Sequence, residues 1–206
     1  MDLPARLRVY VVTPEGGDHL AIARAACDGG AGTVQLRAPE LASEALRPLA
    51  AEVVDVCRRA GVLAIVNDEV TVAAQVGADG VHLGQRDRER WGEHWPAVRD
   101  RVGGMLLGVS VEDAEQAREA TAAGADYLGV TVHATTTKFD ARPVGLATLR
   151  SVVAATDLPV VAIGGLHTGN AAEVLAAGAA GVAVISAVAQ ADDPVTAVRA
   201  LVAAAA

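Results

Sequence analysis

Four charged side chains in this sequence are suited to work on an anion: Asp68, Asp87, Arg37 and Lys138. The two aspartates, with Asn67 beside the first, are hard oxygen donors of the kind Mg²⁺ takes when it bridges carboxylates to substrate phosphates. Either Asp alone would serve equally well as a helix N-cap; together, and beside an anion site, they favour a metal. Lys138 is the only lysine among 17 basic residues and closes the run Thr135-Thr136-Thr137-Lys138. Hydroxyls followed by an ammonium make a phosphate-binding loop. Arg37 ends the run Thr33-Val34-Gln35-Leu36-Arg37, where its planar guanidinium can grip a phosphate through two parallel hydrogen bonds. Gly164-Gly165 and Ile185-Ser186 also close apolar runs. There backbone N–H groups can cradle a phosphate, and glycine lets the chain approach it closely. Gln35, Asn67 and Ser110 complete the set of polar run-ends. No zinc spacing, no Ser-His-Asp arrangement and no cysteine nucleophile is evident.

The elements that must carry these residues repeat along the whole chain. Eight short apolar runs read as strands: Arg8–Thr13, Thr33–Arg37, Leu63–Asn67, Gly80–Gly84, Leu106–Ser110, Tyr127–Thr131, Val160–Gly165 and Gly181–Ser186. Runs this apolar fit a parallel sheet covered on both faces. Between them lie Ala-rich stretches with helical spacing that end in glycine, a stop signal. A Gly-Ala step at Gly30, Gly77, Gly124 and Gly178 opens every second strand at intervals of 47, 47 and 54 residues. Self-similarity of this kind marks repeated supersecondary units. The pattern predicts an α/β fold, a (β/α)₈ TIM barrel forming a single domain over residues 1–206, with an open doubly wound sheet as the alternative. In such a barrel the site lies at the C-terminal ends of the strands, and the loops after strands seven and eight commonly hold phosphate. Ser110-Val111-Glu112-Asp113 reads as the start of a helix with Ser110 capping. The sequence does not fix the face of His82, and His19, His94 and His167 read as surface residues.

Aromatics make up only 2% of the chain, so the core is expected to be aliphatic. A net charge of −8 argues against a nucleic-acid partner, which needs a basic face. No apolar run approaches the roughly 20 residues of a membrane span, and the opening Met-Asp-Leu-Pro-Ala-Arg lacks the apolar stretch of a signal peptide. Two cysteines, Cys27 and Cys57, give no disulfide framework, which places the protein in the cytoplasm.

The series QLR, ND, HLGQRD, GVS, TTTK, IGG and IS, in that order at the strand ends, resembles the thiamine phosphate synthases. The resemblance covers nearly the whole chain, and Val66-Asn67-Asp68 followed by Ala78 through Asp87 is its most specific part. It implies a transferase joining hydroxymethylpyrimidine diphosphate to thiazole phosphate. By that resemblance Gln35, Arg37, Asn67, Ser110 and Lys138 contact the pyrimidine diphosphate, with Arg37, Ser110 and Lys138 catalytic, and Asp68 and Asp87 hold Mg²⁺. Thr135, Thr137, Gly165, Ile185 and Ser186 surround the thiazole phosphate. The partners implied are the two small-molecule substrates and a second copy in a homodimer.

Two features depart from the family pattern. Pro39 stands where the family has a lysine, and the run Gly129 to Ala134 replaces a Gly-Pro turn with a loop one residue shorter. Two alternatives follow from these departures. One is a thiazole tautomerase-like barrel, for which His133 is the acid–base candidate. The other is a non-catalytic barrel that binds a phosphorylated metabolite.

Overall fold

The computed structural model describes residues 2–84, 95–134 and 143–206. All eight expected strands are present: β1 (Val9–Val12), β2 (Thr33–Leu36), β3 (Leu63–Asn67), β4 (Gly80–Leu83), β5 (Leu106–Ser110), β6 (Tyr127–Thr131), β7 (Val160–Ile163) and β8 (Gly181–Val184). They lie in chain order, all parallel, and β8 pairs with β1 to close the barrel. The open sheet is thereby excluded. Arg37, Gly84, Gly164, Gly165, Ile185 and Ser186 fall just past the ladder. They sit on the rim because the strands release them there.

Helices α2 (His19–Gly29), α3 (Ser43–Ala60), α4 (Val70–Val76), α5 (Trp95–Val102), α6 (Ala114–Ala122), α7 (Gly145–Val153), α8 (Ala171–Ala176), α9 (Ser186–Ala189) and α10 (Pro194–Ala204) follow the strands. The Gly-Ala repeat has one physical cause at all four places. Gly30, Gly77, Gly124 and Gly178 each adopt positive φ, which a side chain would disfavour. The alanine after each donates its N–H to a carbonyl five residues back: Ala31 to Ala26, Ala78 to Ala73, Ala125 to Ala120 and Ala179 to Val174. That is the helix-ending turn in which a left-handed residue lets the chain leave the helix with its last carbonyls satisfied. Each alanine is then buried as the next strand begins. Asp79 and Asp126, one period apart, use the same carboxylate oxygen to accept the N–H of Ala64 and of Leu107, 2.8 Å in both cases.

A short helix, α1 (Leu3–Leu7), precedes the first strand and has no counterpart in the sequence expectation. It packs across the N-terminal mouth of the barrel. A side-chain carbon at Gly32 would lie 2.1 Å from the Arg6 carbonyl oxygen, and one at Gly181 would lie 1.9 Å from that of Leu7. Both glycines are required by this closure.

Between barrel and helices the core is aliphatic, as the composition requires. Inside the barrel it is not. There, among the described residues, Tyr10 and Tyr127 are the largest fully buried side chains, packed with Leu7, Val12, Ile65, Val161, Ala183 and Ile185. The expectation of a wholly aliphatic core fails because both tyrosines of the chain go to its centre. A buried phenol needs a hydrogen-bond partner, and the barrel interior supplies one to each.

Candidate active site

The floor of the site is made of side chains on six consecutive strands. Tyr10, Gln35, Asn67, His82, Ser110 and Tyr127 line one pocket at the C-terminal end of the barrel, together with Arg37, Val12, Gly129, Val161, Ile163, Ala183 and Ile185. The polar groups bond to one another. Tyr10 Oη donates to Gln35 Oε1 at 2.7 Å, and Gln35 Nε2 donates to Asn67 Oδ1 at 2.6 Å. The two tyrosine hydroxyls are 2.9 Å apart, and Tyr127 Oη is 3.2 Å from His82 Nδ1. His82 Nε2 lies 3.0 Å from Ser110 Oγ. His82 therefore points into the barrel, which settles the face that the sequence left open. Burial raises the pKa of both phenols well above the ordinary tyrosine value; the Tyr127 charge adds to this at Tyr10, whereas the Tyr10 hydrogen bond partly offsets it at Tyr127. The helix-capping role expected of Ser110 falls to Asp113, whose carboxylate accepts the Gln116 N–H at 2.8 Å. Ser110 is the last residue of β5, still in the ladder, so its hydroxyl is directed into the barrel instead.

Arg37 stands just beyond β2, 9% exposed. A buried cluster fixes its backbone. Its N–H donates to Thr13 Oγ1 at 3.0 Å, and that hydroxyl is 2.9 Å from His19 Nδ1. His19 Nε2 is 3.0 Å from Glu40 Oε1, which also accepts the Gly16 N–H at 3.0 Å. Desolvation opposes ionisation of Glu40, but hydrogen bonds from its own backbone, Gly16 and His19 outweigh it and hold the carboxyl below its usual range. His19 is thus no surface residue. It is 6% exposed, because the first turn of α2 brings its ring between the β1 and β2 loops. The Arg37 guanidinium donates to Glu15 Oε2 at 3.2 Å, and Glu15 is more than half exposed. Pro39 lies in the adjoining exposed turn.

Asp68 follows β3 with φ +62°, the only non-glycine residue of positive φ among the described residues. Residues in that region cost free energy and cluster at functional sites. One carboxylate oxygen accepts from Asn67 Nδ2 at 2.6 Å and the other from the Gly84 N–H at 3.1 Å. Asp68 is thus a fixed oxygen donor between the ends of β3 and β4, a type of ligand that suits Mg²⁺. Its expected companion, Asp87, lies outside the described residues. Among the described residues no cluster of three metal-binding side chains occurs.

Across the barrel mouth, Gly164, Gly165, Leu166, Ile185 and Ser186 line a second, smaller pocket with Ile163, Ala183 and Val184. Gly164 and Gly165 have φ +95° and +59°, and a side-chain carbon on either would meet the backbone carbonyl of His133 at 2.6 Å or of Ala134 at 2.8 Å. The turn is therefore glycine-dependent twice over. Asn170 Nδ2 donates to the Gly165 carbonyl at 2.9 Å and holds the turn in place. Ser186, which lines this pocket, is also the first residue of α9. Thr135, Thr137 and Lys138 lie outside the described residues. His133, the acid–base candidate, places Nε2 2.9 Å from Glu173 on α8 and is not among the described residues lining either pocket.

Sequence reasoning missed Tyr10, Tyr127 and the Thr13–His19–Glu40 support of Arg37. A signal for the first two existed. The chain has two tyrosines, and both stand within runs already read as strands.

With this geometry in hand, comparison with known proteins gives a consistent answer. The family model described as thiamine monophosphate synthase matches residues 9–188. A thiamine-phosphate synthase of Chloroflexus aurantiacus is 46% identical over 200 residues, which cover 94% of this chain and 90% of that protein. One from Laribacter hongkongensis is 47% identical over 192 residues, covering 88% and 85%. The solved structure of thiamine phosphate pyrophosphorylase from Pyrococcus furiosus matches with a TM-score of 0.87 at 34% identity, covering 99% of this chain and 98% of that one. The chain belongs to the thiamine monophosphate synthase family.

Proposed function

We propose that this enzyme is a transferase of thiamine biosynthesis. It couples 4-amino-5-hydroxymethyl-2-methylpyrimidine diphosphate with thiazole phosphate, giving thiamine phosphate and pyrophosphate. One observation carries the reading: the floor pocket and the glycine cradle share Ile163, Ala183 and Ile185 as common wall. Ligands seated in two adjoining pockets would be neighbours, so a bimolecular coupling becomes a reaction within one site.

In this reading Gln35, Asn67 and Ser110 hold the pyrimidine, while Arg37 and Lys138 hold its diphosphate. Thr135, Thr137, Gly165, Ile185 and Ser186 surround the thiazole phosphate. Asp68 and Asp87 hold Mg²⁺, which when bound offsets negative charge on the diphosphate. The C–O bond to the leaving pyrophosphate breaks, the aminopyrimidine spreads the positive charge left on its methylene carbon, and the thiazole nitrogen forms the new C–N bond. No protein nucleophile is needed. Arg37 gives up Glu15 for the diphosphate, and a donor of this kind lowers the barrier by about 3–4 kcal/mol. The substrates are small molecules. A cytoplasmic setting, with no nucleic-acid or membrane partner, is supported by the free thiols of Cys27 and Cys57 and the net charge of −8. Among the described residues no helix is long and apolar enough to cross a membrane.

The test is a coupling assay with both substrates and Mg²⁺. Equal amounts of thiamine phosphate and pyrophosphate are expected, and Asp68→Ala or Lys138→Ala should cut turnover by about 10²–10³. Binding of both substrates without coupling would overturn the reading, and full turnover in excess chelator would remove the metal from it.

A further inference from the structure

Seven side chains form one unbroken hydrogen-bonded chain across the barrel, from Asp68 after β3 to Ser110 at the end of β5. Its links run Asp68–Asn67, Asn67–Gln35, Gln35–Tyr10, Tyr10–Tyr127, Tyr127–His82 and His82–Ser110, at 2.6, 2.6, 2.7, 2.9, 3.2 and 3.0 Å. Each hydroxyl has one proton and each amide has one donating end, so the direction of one link fixes all the others. A carboxylate only accepts. Asn67 must therefore turn Nδ2 to Asp68, and its Oδ1 accepts from Gln35 Nε2. Gln35 Oε1 then accepts the Tyr10 proton. Tyr10, its proton used, accepts from Tyr127. Tyr127, its proton used in turn, accepts from His82 Nδ1–H. In a neutral imidazole Nε2 is then the acceptor, and Ser110 Oγ–H donates to it.

We infer that Tyr10, Tyr127 and His82 are positioning residues: the one-way chain holds His82 as its Nδ1–H tautomer, commits the Ser110 proton to Nε2, and makes Ser110 Oγ an acceptor toward the ligand. Such an oxygen selects a ring amino group. It repels a ring carbonyl, because two acceptors face to face leave both unpaired. The amino-bearing pyrimidine of the proposed reaction meets this demand. The ligand's identity rests on that proposed function, whereas the tautomer does not.

The fold makes room for the chain. A side-chain carbon at Gly108 would lie 2.2 Å from Tyr127 Cζ and 2.5 Å from His82 Nδ1, and one at Gly129 would lie 3.0 Å from His82 Cε1. Two strand positions thus forgo side chains where the rings of His82 and Tyr127 meet, their centroids 5.6 Å apart. Burial of both phenols keeps their protons in place.

The experiment has two readings on the full chain. Nitrogen NMR of ¹⁵N-histidine-labelled, ligand-free protein, with the His82 signals assigned from their loss in His82→Gln, should show Nδ1–H. Calorimetry with the diphosphates of 4-amino-5-hydroxymethyl-2-methylpyrimidine and of its 4-oxo counterpart should show a preference for the amine of about 100-fold or more, as expected where a site's acceptor is left unpaired by the wrong ligand. Tyr127→Phe should erase the tautomer preference and cut the discrimination about 10–100-fold, the usual effect of removing a supporting partner. His82→Gln, whose amide oxygen still accepts from Ser110, should retain most of the discrimination and covers the case in which Tyr127→Phe fails to fold. An Nε2–H or doubly protonated His82 in wild type that couples its substrates normally would overturn the chain while leaving the proposed function standing. Wild type that binds neither diphosphate would overturn the proposed function and the amine selection, with the tautomer still read from the ligand-free spectrum.

Discussion

The two adjoining pockets are built in opposite ways. The floor pocket uses side chains on strands, bonded in the order Asn67, Gln35, Tyr10, Tyr127, His82 and Ser110. The cradle uses backbone on turns: Gly164 and Gly165 at positive φ, and Ser186 where a helix begins. The difference follows from what each would hold. A heterocycle presents donors and acceptors in a fixed asymmetric pattern, which only side chains of chosen type can match. A phosphate presents equivalent acceptor oxygens, for which any ring of N–H donors suffices. One pocket spends sequence on identity, and the other spends it on permission for the backbone to turn.

The largest expected effect comes from breaking the charged rim of the floor pocket. Arg37→Ala should lower kcat about 10²–10³-fold, the usual cost of one donor to developing charge. Binding of thiazole phosphate alone, followed by calorimetry, should stay within about twofold of wild type, since Arg37 lines the floor pocket and is not among the described residues lining the cradle. Next is the cradle. Gly165→Ala forces an L-residue to φ +59°, where the left-handed region costs about 1–2 kcal/mol. It also sets a methyl 2.8 Å from the Ala134 carbonyl. Affinity for thiazole phosphate should fall at least about tenfold, the equivalent of about 1.4 kcal/mol, with pyrimidine diphosphate binding preserved. Equal losses at both pockets would show that the two regions are one unit, and the comparison would fail.

The residues legible in the sequence were those at strand ends. In a (β/α)₈ chain the end of an apolar run fixes a position on the rim without further knowledge, so Arg37, Asp68, Gly165 and Ser186 were placeable. So were the helix stops, because a glycine that must adopt positive φ is a local demand. The interior was not legible. A strand covered on both faces loses the apolar–polar alternation that tells in from out; Tyr10 and His82 sit inside such strands and Tyr127 at the start of one, away from the ends that mark the rim. Their direction depends on register around the closed barrel, which no single segment contains. The cap expected of Ser110 and the surface position expected of His19 failed for a related reason. Each matched a local pattern, a cap or a polar helix start, while a contact 28 or 6 residues away decided its side chain.

A smaller effect tests how the rim waits for its ligand. Glu15→Gln removes the carboxylate that holds the Arg37 guanidinium. The pair is more than half exposed on the Glu15 side, so it is worth only about 0.2–1 kcal/mol. Affinity for pyrimidine diphosphate, measured by calorimetry at low salt, should rise about 2–5-fold, and the gain should fade as salt screens the pair. A loss of affinity would show that Glu15 helps to hold the ligand.

The smallest effect is silent at neutral pH and separates the two pockets by titration. Tyr10 and Tyr127 have pKa values raised by burial in the folded protein. Below the unfolded tyrosine value of about 10 both states keep these protons, and the stability from the buried phenols is fully present. Above it the unfolded chain loses them first, the folded state binds more protons, and stability falls as pH rises toward the folded values. The described lining of the cradle contains no titratable side chain. Melting temperatures followed from about pH 8 to 11, bracketing the ordinary tyrosine value, should therefore fall in parallel for wild type and Gly165→Ala. Tyr10→Phe should fall less steeply, because one raised phenol is gone. If Tyr10→Phe instead tracks wild type throughout that range, the buried phenols are not what the alkaline limb reports, and the contrast between a titratable floor and an inert cradle is lost.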